Sequence, residues 1–147
     1  MIPSELTTRI DFHSNVGNQL DYACRLTRKA LGAGCKLMVL HQDAGQLAEF
    51  DQLLWSFSGP DFLPHVTVQD RLAAQTPVLL CLADATLNAP LNREILLNLS
   101  AAVPIGFDQF ERLIEIVPQD GQAKEAGRQR YRHYQQQGYQ LNHITAK

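Results

Sequence analysis

The sequence predicts an α/β protein, a single domain built from a mostly parallel sheet flanked by helices. Three observations carry this. Short apolar runs bounded by turn residues, KLMVLH at 36–41 and PVLLCLA at 77–83, read as strands buried on both faces, the pattern of a parallel sheet. Segments with helical spacing of apolar residues alternate with these runs, and that alternation implies helices layered on a sheet. The chain has 147 residues, close to the commonest size of one domain and large enough to bury most of its apolar surface without staples.

Each element follows in order. ELTTRIDF, 5–12, reads as a first strand, and SNVGN then supplies turn and cap residues for a helix from about Gln19 to Leu31. Leu20, Ala23, Cys24, Leu26, Ala30 and Leu31 give that helix its apolar face, and Gly32 and Gly34 stop it. After the strand at 36–41, Asp43 caps a second helix in which Leu47, Phe50, Leu53 and Leu54 keep helical spacing until about Trp55. FSGPDFLPHV, with two prolines and a glycine, reads as a loop that carries more large apolar groups than a connector needs. Strands at 77–83 and at 94–100, EILLNLS, are joined across a turn at 88–92. RLIEIV, 112–117, is a strand closed by Pro118, and a final helix runs from Gln119 to about Gln137, with Gly138 as its stop.

Composition excludes several classes. At 45% hydrophobic and 19% charged, without low-complexity tracts or a repeat period, the chain is neither disordered nor a solenoid. Cys24, Cys35 and Cys81 are odd in number and form no C-x-x-C, which argues for reduced, buried thiols rather than disulfides or zinc. MIPSELTTRIDF has no basic region followed by an apolar run, and no stretch approaches the roughly 18 apolar residues of a membrane span. The expectation is a cytoplasmic protein without a membrane contact.

The chemistry motifs are missing. The turn after the first strand, HSNVGNQ, has one glycine and neither phosphate-binding fingerprint, and GAGCK at 32–36 lies between a helix end and a strand, the wrong side for a phosphate cradle. His13, His41, His65, His133 and His143 are scattered without metal-ligand spacing, so no metal is predicted. No serine sits in G-x-S-x-G, and nothing pairs carboxylates such as Asp11, Asp43 and Asp84. No catalytic residue and no cofactor are therefore predicted.

Charge is the positive signal. From Gly121 to Lys147 five cations stand against Glu125 alone, a local net of +4 in a chain of net charge -2. Such asymmetry marks where an anionic partner docks. At about 100° per residue, Lys124, Arg128, Tyr131 and Gln135 share one helix stripe, whereas Ala126, Arg130 and Tyr134 lie on another, so the arginines form no continuous rail along a phosphate backbone. Two cations beside one ring suit a short acidic peptide with an apolar end, because arginine holds a carboxylate bidentately while the aromatic wall receives a side chain. A merely solvated helix, or direct binding of single-stranded nucleic acid, fits the same composition.

LLWSFSGPDFLPH at 53–65, RLIEIVPQD at 112–120 and AGRQRYRHYQQQGYQLNH at 126–143, in this order, resemble the chi subunit family of bacterial DNA polymerase III. The resemblance implies a non-catalytic accessory subunit of the replicative polymerase, with a fold similar to mononucleotide-binding proteins but without their phosphate loop. It implies two partners: the psi subunit, which tethers chi to the clamp loader, and the acidic C-terminal tail of single-stranded DNA-binding protein, so that DNA is met indirectly. The family's R-x-R-Y pocket motif falls on Arg128 and Tyr131, with Lys124 and Val117 at neighbouring pocket positions. Its aromatic partner-contact motif falls on Trp55 and Phe62, for psi or another partner, although loop aromatics of this kind equally form a small core beneath the loop. The sequence departs from one member of that family at His143, where that member has threonine, and at Ala146, where it has tryptophan; His143 is a further pocket candidate whose titration would make binding pH-dependent.

Overall fold

In the computed structural model, residues 8–57, 63–82 and 93–146 are described. Seven strands form one sheet: β1 (Arg9–Val16), β2 (Leu37–His41), β3 (His65–Thr67), β4 (Val78–Leu82), β5 (Ile95–Asn98), β6 (Arg112–Pro118) and β7 (Leu141–Thr145). Their order is β3-β4-β2-β5-β6-β1-β7, and every pairing is parallel. The central strands are mostly apolar because both of their faces are covered: all five residues of β2, four of them apolar, are buried.

Helices α1 (Gln19–Gly32) and α2 (Ala44–Phe57) lie on one face. There Leu20, Ala23 and Cys24 of α1 and Phe50 and Leu54 of α2 close over Val39, Leu80 and Leu97 of the sheet. Helix α3 (Gly121–Gln136) covers the other face, where Tyr134 packs with Ile10, Phe12, Leu113, Phe107 and Phe110. The caps are local. The Asn18 side chain accepts the Asp21 N–H, Asp43 accepts from Gly45 and Gln46, and Asp120 accepts the Ala123 N–H at the start of α3.

The predicted class holds, with four local corrections. The first strand runs over Arg9–Val16 rather than 5–12, of which residues 5–7 lie outside the description. Ser14–Val16, expected as turn, remain strand because β1 is paired on both sides by β6 and β7 until a bulge at Asn15, whose φ of 61° suits an asparagine. β3 forms inside the segment expected to be loop; Pro64 stands before it, and an edge strand needs only the one partner that β4 supplies. β7 was not anticipated, since an edge strand exposed along most of its length carries no apolar pattern. The expected turn at 88–92 lies outside the described residues. None of the three cysteines forms a disulfide, Cys24 and Cys81 being buried and Cys35 half-buried; burial pushes the Cys24 thiol up to about 12, which makes it unreactive.

Candidate functional site

A parallel sheet opens a crevice at the carboxyl ends of neighbouring strands whose connections leave toward opposite faces. β1 leads to α1 on one face and β6 leads to α3 on the other, so the crevice is forced between the ends of β6, β1 and β7. A groove of about 410 Å³ occupies it, lined by Phe12, Ser14, Asn15, Val117, Lys124, Gly127, Arg128, Tyr131 and His143.

The floor and one wall are apolar. Val117, the last buried residue of β6, lies directly beneath Gly127, and Tyr131 meets Phe12 edge-on with ring centroids 5.0 Å apart. Such aromatic pairs are worth about 0.5–1.5 kcal/mol beyond their buried area, enough to hold Tyr131 as a wall rather than a swinging lid. On the far side His143 of β7 shares a 2.6 Å hydrogen bond with Ser14 Oγ and turns its ring toward Tyr131, 6.5 Å between centroids. The rim is cationic. Lys124 and Arg128 both line it, and Arg128 Nη1 stands 3.5 Å from Glu125 Oε1, a pair in which both side chains are more than half exposed.

The structure thus brings Val117, Lys124, Arg128, Tyr131 and His143, all singled out in the sequence, into one groove. It also adds residues that sequence reasoning passed over. Phe12, Ser14 and Asn15 reach the groove because β1 lies between β6 and β7, and Gly127 matters because α3 lies almost on β6. A glycine in the middle of an amphipathic helix was the available signal for that close approach.

Arg130 takes no part in the groove. It is 5% exposed, its Nε donates to Glu115 Oε1 at 2.9 Å and its Nη1 to the Ala101 carbonyl at 2.9 Å. The cationic excess near the C-terminus is therefore smaller at the surface than the sequence count implies. Glu115 is wholly buried; burial pushes its carboxyl up, against the charge of Arg130 and hydrogen bonds from Tyr134, Asn98 and Arg130 that favour ionisation.

Trp55 does not join this site. It stands in the last turn of α2, 54% exposed, its ring 4.7 Å from that of buried His65. His65 Nδ1 donates to the Leu63 carbonyl, and Asp51 Oδ1 lies 3.0 Å from Nε2 without forming a hydrogen bond. Phe62 lies outside the described residues. Among the described residues no group of histidine, cysteine and carboxylate side chains is placed to hold a metal ion, and no helix is long and apolar enough to cross a membrane.

Fold and site together define an all-parallel α/β protein with a cationic, aromatic-walled groove at its sheet edge. Residues 7–142 match the family described as DNA polymerase III chi subunit, HolC. The chain is 34% identical over 138 residues to the DNA polymerase III subunit chi of Pseudomonas aeruginosa, covering 91% of this chain and 94% of that relative. It is 28% identical to the subunit chi of Haemophilus influenzae over 83% of each chain, and 23% identical to that of Escherichia coli over 84% of this chain and 83% of the relative. The chain belongs to the DNA polymerase III chi subunit family, and its role lies in DNA replication.

Proposed function

We propose that this protein is a non-catalytic adaptor of the replicative polymerase, which grips the acidic C-terminal tail of single-stranded DNA-binding protein in the groove at Arg128 and Tyr131. One observation carries the reading: two cations line the same 410 Å³ groove as an aromatic wall and an apolar floor. That is the complement of a peptide ending in an apolar side chain and a free carboxylate. Arg128 holds the carboxylate, Tyr131 and Val117 enclose the terminal side chain, Lys124 draws in the acidic residues before it, and His143 closes the rim. A second contact joins the psi subunit through the surface at Trp55 and couples the protein to the clamp loader. Two tethers in one chain raise the effective concentration of each partner for the other, so neither link needs high affinity of its own.

The test is fluorescence anisotropy of a labelled peptide copying the last residues of the cognate single-stranded DNA-binding protein. Saturable binding is expected for wild type and a loss of about thirtyfold or more for Arg128→Ala and Tyr131→Ala, the equivalent of the roughly 2 kcal/mol or above that a central interface residue carries. Wild type that is folded and does not bind sinks the reading. Direct binding of single-stranded nucleic acid by the same helix would instead tighten with oligonucleotide length, which a terminal peptide does not.

A further inference from the structure

We propose that Glu115 and Arg130, joined by Tyr134 and Asn98, form a register lock that fixes the rotation of α3 on the sheet and thereby aims Arg128 and Tyr131 into the groove. The binding role of those two residues rests on the function proposed above; the lock itself is a feature of the fold.

Glu115 sits in the middle of β6, paired to β5 on one side and β1 on the other, with no exposed surface. Its carboxylate receives Arg130 Nε at 2.9 Å and Asn98 Nδ2 at 3.0 Å on Oε1, and Tyr134 Oη at 2.6 Å and Asn98 Nδ2 at 3.0 Å on Oε2. Arg130 is pinned a second time by the Ala101 carbonyl. Stability alone does not account for this arrangement, because replacing a buried ion pair by apolar groups of similar volume is commonly neutral or stabilising.

An apolar interface lacks the direction that a carboxylate with three donors supplies. Arg130 and Tyr134 are one helical turn apart on the same face of α3, so anchoring both to one carboxylate fixes the helix in rotation and in translation. Nearer the start of α3 the helix rests on β6 through Gly127 against Val117, a contact without a protruding side chain on the helix and therefore without a rotational stop of its own. Arg128 stands two residues before Arg130, and Tyr131 one after it. At about 100° per residue their directions follow from where Arg130 is held. Glu115 and Arg130 are thus positioning residues, which need not touch the peptide.

The decisive variant replaces the charged network by apolar groups of similar shape, Glu115→Leu with Arg130→Met and Tyr134→Phe; Asn98 keeps the Ala102 carbonyl as an acceptor. Three properties are read: thermal unfolding, amide exchange along α3, and the ring-proton NMR shifts of His143, which report the Tyr131 ring 6.5 Å away without any peptide. The lock predicts a cooperative fold that melts no earlier than wild type, faster exchange in α3, altered His143 shifts and about tenfold weaker binding of the tail peptide. A folded triple variant with wild-type His143 shifts and affinity overturns the proposal. Should the triple variant fail to fold, Tyr134→Phe alone decides: the lock predicts His143 shifts displaced in one direction with the ring retained, and unchanged shifts refute it. Wild type that ignores the peptide removes the groove reading, while the His143 signals still judge the lock.

Discussion

Gly127 lies so close to Val117 that a Cβ built on it would stand 2.9 Å from Val117 Cγ1 and 3.0 Å from Cγ2. Alanine normally improves a helix interior by about 1 kcal/mol over glycine. Here the overlap wins, because a valine on a strand has little rotamer freedom and overpacking costs about 1–3 kcal/mol. Gly127→Ala is expected to lower the melting temperature by a few degrees and to lift α3 off the end of β6, weakening peptide binding. Val117→Ala in the same chain should restore part of the melting temperature. Additive losses in the double variant would refute the contact as the cause.

Arg128 stands beside Glu125, three residues earlier on the same helix surface. A ligand carboxylate must displace that neighbour, and an exposed pair of this kind is worth about 0.2–1 kcal/mol. Glu125→Gln is therefore expected to tighten binding of an acidic tail by about two- to fivefold, with the larger gain at low salt. Isothermal titration at two ionic strengths measures it. Weaker binding would mean that Glu125 orients Arg128 rather than competing for it.

The fold was legible wherever burial imposed a pattern. β2 and β4 announced themselves as apolar runs because both of their faces are buried, and Asp43 announced α2 by its capping position. The edges were not legible. β3 follows a proline and spans three residues, and β7 is mostly exposed, so their pairing is decided by partners distant in the chain. The candidate site divided along the same line. Lys124, Arg128 and Tyr131 share a helix stripe that spacing alone reveals, whereas Phe12, Ser14 and Asn15 join them only through the place of β1 between β6 and β7. Arg130 misled for a physical reason: a charge count cannot see that Glu115, inside an otherwise apolar strand, removes that arginine from the surface.

Trp55 tests the second tether. Its ring is about half exposed, 4.7 Å from that of His65 and outside the buried core, so truncation removes surface packing and a ring contact of roughly 0.5–1.5 kcal/mol rather than core volume. Trp55→Ala should remain folded, with an unchanged peptide titration at the Arg128 groove, and should lose co-purification with psi. Retained psi binding by a folded variant would move that contact elsewhere on the molecule.

The pH dependence of stability follows from two buried histidines. Burial lowers the pKa of His13, aided by Arg112 and Lys29 and opposed by Asp11; burial likewise lowers that of His41, opposed by Asp43. The folded protein therefore binds fewer protons than the unfolded chain once pH falls to the ordinary histidine value near 6.5. Stability from this source is complete above that value and declines as pH falls through the lowered pKa values. Asp11 acts in the same direction but further into acid: burial raises its pKa, yet hydrogen bonds from Arg112 and Asn142 and the arginine charges bring it below 3.8. Glu115 acts the other way, since its raised pKa favours the folded state at low pH. The measurement must accordingly be a difference. The melting temperature between pH 7.5 and 5.5 should fall more in wild type than in His13→Gln/His41→Gln, and equal slopes in the two proteins would show that neither histidine controls acid sensitivity.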